Sequence, residues 1–165
     1  MELKVIATSP KWQSVFSNPS VITETSADGS SFTPLRLEDE KMQRIYDVGI
    51  KTLADCMQDV FEDGPKRDRR LWRGDLRLQA LADYASFDNT ALVKRCLYLF
   101  AGMTTKEGKI SANVFVNPKN IPDDTFLFEY SLFFISVLYD LHLAHPDEEF
   151  VKELYPTAKK QMELS

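Results

Sequence analysis

The chain has 165 residues with 8 Pro and 6 Gly, and it is 44% hydrophobic and 27% charged; this composition excludes collagen, coiled coil and disorder, and the length suits about one globular domain. Twenty basic residues against 25 acidic ones give a formal charge of -5 and a pI near 5.1, so no global positive field is available to hold nucleic acid or anionic lipid. Cys56 and Cys96, the 2 cysteines, occupy apolar positions with no CxxC, so no zinc site, disulfide framework or cofactor is expected. The longest apolar stretch, Leu132 to Tyr139, falls short of the ~18 residues of a membrane span. The first ten residues lack the basic start and apolar run of a secretory signal, which favours the cytoplasm if this N-terminus is native.

Up to residue 36 the sequence alternates β-prone runs with turn chemistry. Leu3 to Thr8, Trp12 to Phe16 and Val21 to Thr25 are separated by Ser9-Pro10, Asn18-Pro19 and, further on, Asp28-Gly29-Ser30-Ser31. Propensity predicts a few short strands there, too few to form a core of their own, so the segment must lean on another element. From Leu37 the period becomes helical. Met42, Tyr46, Gly49, Leu53, Cys56 and Val60 share one face behind the acidic start Glu38 to Glu40, which predicts a helix to about Phe61. A second helix is expected from Leu76 to about Ser86, capped by Asp75, with Leu78, Leu81, Ala82 and Ala85 as its apolar stripe.

Asp88-Asn89-Thr90 restarts the chain as a third helix with Leu92, Cys96, Leu99, Phe100 and Met103 on its face, and the short joint makes the pair a helical hairpin. Thr104 to Ile121 reads as a long loop with a brief strand at Val114 to Val116. Asp124 to Ala144 is apolar nearly all round, and such a helix must be surrounded by other elements. Pro146 then starts a last helix that carries Phe150, Val151, Leu154 and Tyr155 and is expected to bend or break at Pro156. The fold class predicted is mainly α, with helical hairpins over 37–165 stacked in concentric layers.

The chemically unusual segment is Asp63 to Asp75, Asp-Gly-Pro-Lys-Arg-Asp-Arg-Arg-Leu-Trp-Arg-Gly-Asp. Five basic residues and three carboxylates meet one Trp between two helices. An indole face suits a pyranose ring, guanidinium forks suit hydroxyls, and carboxylates can do acid and base work. The plain alternative is that Asp63-Gly64 ends one helix, Asp75 caps the next and Arg69-Arg70 is a solvated face. The basic run is too short and too broken by acids for a nucleic-acid patch.

This segment, with Leu76-Arg77-Leu78 after it, resembles the signature loop of the α-L-rhamnosidase-type glycoside hydrolases, Asp-x-Pro-x-Arg-Asp-Glu/x-x-x-Trp-x-Gly-Asp, which joins two helices of an (α/α)6 six-hairpin toroid. The resemblance implies that 37–165 is part of that barrel, that residues 1–36 correspond to the end of a preceding β-sandwich, and that the substrate is a carbohydrate hydrolysed with inversion. It implies Asp63 and Arg67 as ligands of sugar hydroxyls, Trp72 as pocket wall and Asp75 as a carboxylate that shapes the loop and reaches the bound sugar. The general acid carries over to Asp68: the family's Glu after the Arg-Asp pair is Arg69 here. The family's general base lies on a later hairpin, and about five helices are readable here, fewer than half of a six-hairpin barrel. The chain is therefore expected to be a partial, inactive glycosidase whose inner helices leave apolar flanks open to self-association. The other reading is a non-catalytic helical interaction domain with a groove at Phe126 to Tyr139. His142 and His145 have no motif context. Glu129 and Tyr130 open the apolar helix and could face the same pocket as Asp63, but a core Tyr and a surface Glu are the favoured reading.

Overall fold

The computed structural model describes residues 4–7, 9–64 and 66–164. Their elements are α1 (Glu40–Cys56), β1 (Arg70–Trp72), α2 (Arg73–Tyr84), α3 (Thr90–Gly102), β2 (Asn113–Phe115), β3 (Ile121–Pro122), α4 (Phe128–Ala144) and α5 (Glu148–Leu164). Three helix starts follow from capping chemistry. The side chains of Asp39, Asn89 and Asp147 accept from the backbone N–H of Met42, Leu92 and Phe150 at 2.8, 3.1 and 3.0 Å, each satisfying an amide that a first turn leaves unpaired. Pro146 thus precedes the cap of α5 and is not its first residue.

Helix α4 is the centre of the packing, lying against α2, α3 and α5. Its buried face is Phe134, Val137, Leu138 and Leu141, and it shares one apolar core with Phe61, Leu71, Leu76, Val93, Leu97, Phe100, Phe150 and Leu154. Ion pairs tie the layers at their edges. Arg77 Nε meets Asp140 Oδ2 at 2.9 Å between α2 and α4, and Lys94 Nζ meets Asp147 Oδ2 at 2.6 Å between α3 and the start of α5. The opposite face of α4 is open: Phe128, Leu132, Tyr139 and Leu143, spaced by three to four residues or their multiples, are all exposed. The expectation that this helix is surrounded is met on one side only within these residues.

Four expectations are corrected. No strand forms among the described residues before Glu40, since the β-prone runs at Trp12 to Phe16 and Val21 to Thr25 stay exposed without a ladder; Leu3 and Thr8 lie outside the described residues. The segment leans on the helices instead, through Ser26 N–H to Met57 O at 2.8 Å, Asn89 Nδ2 to Ser26 O at 2.8 Å and Ser31 Oγ to Phe87 O at 2.6 Å. Helix α1 ends at Cys56, not Phe61, because the chain folds back there. Glu62 N–H donates to Cys56 O at 2.8 Å, and the turn buries Met57, Val60 and Phe61 completely.

The third correction concerns α2, which begins at Arg73 with no side-chain cap, so Asp75 lies in its first turn and does not cap it. Its buried face is Arg73, Leu76, Ala80 and Asp83, whereas Leu78 is 70% exposed and Leu81 is exposed too. Both stripes have helical spacing, and the packing of α2 against α4 and the rest of the core selects the one with Leu76 and Ala80. The fourth concerns α5, which continues through Pro156 to Leu164. A proline inside a helix costs about 3 kcal/mol, and the last turns are held from outside: buried Gln161 donates through Nε2 to Gly108 O at 2.7 Å and accepts Ile110 N–H at 3.2 Å.

The expected brief strand is present one residue early, as β2, and it is the middle strand of an antiparallel sheet of order β1-β2-β3. Arg70 pairs with Phe115, Leu71 with Val114 and Trp72 with Asn113. The sheet is small, but it fastens the signature segment to the connection before α4.

Candidate functional site

The segment from Asp63 is a tight turn leading into a strand. Asp63 N–H donates to Arg70 O at 2.8 Å, closing the turn, and Gly64 O receives the amides of Arg67, Asp68 and Arg69 at 2.7, 2.9 and 3.3 Å. Gly64 sits at φ +59, a left-handed conformation that glycine adopts without a Cβ penalty. The turn brings two carboxylates to one cation. Arg67 Nη2 lies 3.4 Å from Asp63 Oδ2 and its Nε 3.2 Å from Asp68 Oδ1, with the Arg67 side chain 72% exposed and those of Asp63 and Asp68 34% and 23% exposed. At that exposure the pairs contribute at most about 1 kcal/mol. Their geometric result is that Asp63 and Asp68 do not point apart, as helix punctuation alone would allow.

Strand β1 then places Trp72. Leu71 is fully buried and anchors the strand, while the Trp72 ring stands partly open beside Tyr130 from the first turn of α4. The two centroids are 6.2 Å apart at 85°, and Tyr130 makes a second edge contact with Phe133 at 5.6 Å. Tyr130 is therefore not a plain core residue. Burial raises its pKa first, then Asp75 and Asp63, while Arg73 opposes them, so its phenol lies in the field of the loop's carboxylates. Asp75 is also pushed up, by burial and then by Asp63, against the pull of its own amide and of Arg67. Asp63, Arg67, Asp68, Trp72 and Asp75 thus lie in one neighbourhood, and Tyr130 is the member that sequence reasoning placed elsewhere. The available signal was its position at the start of an apolar helix that follows the long connection.

Two loop arginines have other tasks. Arg73 is fully buried. Its backbone N–H donates to Ala112 O at 3.0 Å, its Nη2 to Ile110 O at 3.3 Å, and its guanidinium lies 5.4 Å from the Phe100 ring centre. Burial lowers its pKa to about 9, as expected for a cation without a carboxylate partner. Arg70 lies over the Phe115 ring at 4.1 Å and 3.7 Å from Asp123, and Asp123 in turn accepts from Asn113 Nδ2 at 2.9 Å. Both arginines brace the sheet. Away from the loop, His145 Nε2 meets Asp88 Oδ1 at 2.6 Å. Among the described residues no group of three His, Cys, Asp or Glu side chains is placed to hold a metal ion, and no helix is long and apolar enough to cross a membrane.

The body is mainly helical, with carboxylates, an arginine and aromatic rings gathered at one inter-helix loop, as in a six-hairpin glycosidase. Residues 31–164 match the family described as the bacterial alpha-L-rhamnosidase 6 hairpin glycosidase domain, and the chain belongs to that family. It is similar to the solved structure of a rhamnosidase from Klebsiella oxytoca with rhamnose bound, at 55% sequence identity and a TM-score of 0.81 over 85% of this chain. The chain spans 27% of the length of that protein. No curated protein matches it.

Proposed function

We propose that residues 63–75 form the sugar-binding and proton-donating half of an inverting α-L-rhamnosidase site. Asp63 and Arg67 grip hydroxyls of a terminal α-L-rhamnosyl unit, Trp72 offers its ring as the wall, and Asp75 shapes the loop. Asp68, the candidate general acid, gives its proton to the glycosidic oxygen as the bond to the anomeric carbon breaks. A second carboxylate takes a proton from water that attacks the opposite face of the ring, and this attack inverts the anomeric centre. Inverting enzymes hold the two carboxyl groups roughly 6.5–9.5 Å apart to admit that water. In this reading the base comes from outside these 165 residues, and the 165 residues alone bind sugar without turning it over.

The observation that carries the reading is the double bridge of Arg67 to Asp63 and Asp68, in a chain so similar to a rhamnosidase solved with rhamnose. An exposed guanidinium held by two carboxylates keeps donors free to reach the hydroxyls of a sugar. The test is to soak L-rhamnose into crystals of the chain and to titrate it against the wild type and Asp63→Asn. Density beside Trp72, weakened binding in the variant and no release of aryl alcohol from an aryl rhamnoside are expected. An empty loop, or turnover by the chain alone, refutes the corresponding half of the proposal.

The exposed stripe Phe128, Leu132, Tyr139 and Leu143 favours a second reading. A helix apolar on two faces needs cover on both, so we also propose that the chain associates with copies of itself, or with an apolar helical partner, through this stripe.

A further inference from the structure

Gly74 is the second residue of α2, where a helix would ordinarily gain from alanine. A Cβ built there would lie 2.7 Å from Tyr130 Cζ, 2.9 Å from its hydroxyl oxygen and 3.0 Å from Cε1. The phenol therefore rests on bare backbone, in a seat that any side chain would close. From that seat its ring meets the Trp72 indole edge-on at 6.2 Å and 85°, and it makes a second edge contact with Phe133 at 5.6 Å. The Trp72 Nε1 is covered and has no hydrogen-bond partner among the described residues, so the indole is aligned by packing and not by a directed bond. Arg73 stays buried on the neighbouring side of the helix start, and Asp75 follows in the same turn.

We propose that Tyr130 is a positioning residue of the candidate sugar site: seated on Gly74, it sets the angle at which the Trp72 ring is presented to a pyranose. The ring does this through its edge contact, and the hydroxyl is not needed for it. The inference rests on the reading of the loop as a sugar site, and the experiment separates the two. Trp12→Phe removes the other indole of the chain, which is well exposed, and leaves Trp72 to report alone. In that background Tyr130→Phe, Tyr130→Ala and Gly74→Ala are compared by the indole band of near-ultraviolet circular dichroism, which lies beyond any tyrosine signal, and by Trp72 emission during titration with L-rhamnose.

Tyr130→Phe is expected to keep the indole band and the rhamnose midpoint within about threefold. Tyr130→Ala and Gly74→Ala are expected to lose at least half of the band and to move the midpoint upward by tenfold or more, with far-ultraviolet signal unchanged. An unchanged band in both disruptive variants overturns the positioning role. If no protein responds to L-rhamnose, the sugar-site reading falls, while the indole band still decides whether Tyr130 aligns Trp72. Should Gly74→Ala fail to fold, Tyr130→Ala carries the same comparison.

Discussion

Asp83 offers a direct test of the packing between α2 and its neighbours. It is fully covered, and its pKa is raised to about 6 from an ordinary 3.8; burial is the largest cause, Asp88 adds to it, and the Asn89 amide and His145 oppose it. Because the folded pKa lies above the unfolded one, the folded state holds the proton more tightly, and ionisation destabilises it as pH rises through the window between the two values. The linkage relation gives a penalty of about 3 kcal/mol at pH 7, about 1.6 at pH 5 and about 0.5 at pH 4. Asp83→Asn removes this titration while keeping the size of the side chain. The amide needs hydrogen-bond partners of its own, but that cost does not depend on pH, so the difference between the two proteins is the clean observable. Urea unfolding from pH 4 to 7 should show the variant gaining about 2 kcal/mol relative to wild type across the range. Parallel stability curves for the two proteins would show that Asp83 does not titrate with a raised pKa and would refute the reasoning.

Gln161→Ala leaves Gly108 O and Ile110 N–H without the partner that joins α5 to the connection before β2; a loss of about 2–4 kcal/mol is expected in urea unfolding, and a change below about 0.5 kcal/mol would mean that Pro156 is tolerated for another reason. In an active rhamnosidase carrying this loop, Asp68→Asn should lower turnover roughly 10²–10⁴-fold on a natural leaving group and far less on an activated aryl rhamnoside. Equal losses on the two substrates move the acid role away from Asp68. In sedimentation velocity the chain should associate in a concentration-dependent way that Leu132→Glu with Tyr139→Glu abolishes, and a wild-type monomer at all concentrations counts against the exposed stripe as an interface.

Local information carried a large part of this protein. Asn89 before Leu92, the face of Leu92, Cys96 and Phe100, and the apolar run that became α4 all act over one or two helical turns, so spacing alone announced them. The order of residues from Asp63 to Asp75 likewise announced the family, because the resemblance to its signature loop is carried by one short piece of chain. What spacing left open was every choice made by distant residues. The outward turn of Leu78 and Leu81 was decided by the packing of α2 against α4, some fifty residues further on, which buries the Leu76 and Ala80 face instead. The demotion of Asp75 from cap to first-turn carboxylate was decided by the pairing of Trp72 with Asn113, which starts the helix early. The persistence of α5 past Pro156 was decided by Gln161 reaching Gly108 and Ile110. The seat of Tyr130 on Gly74 is of the same kind: a glycine and a tyrosine more than fifty positions apart carry no periodic signal of each other, and only the packed backbone brings the ring onto the one position that has no side chain.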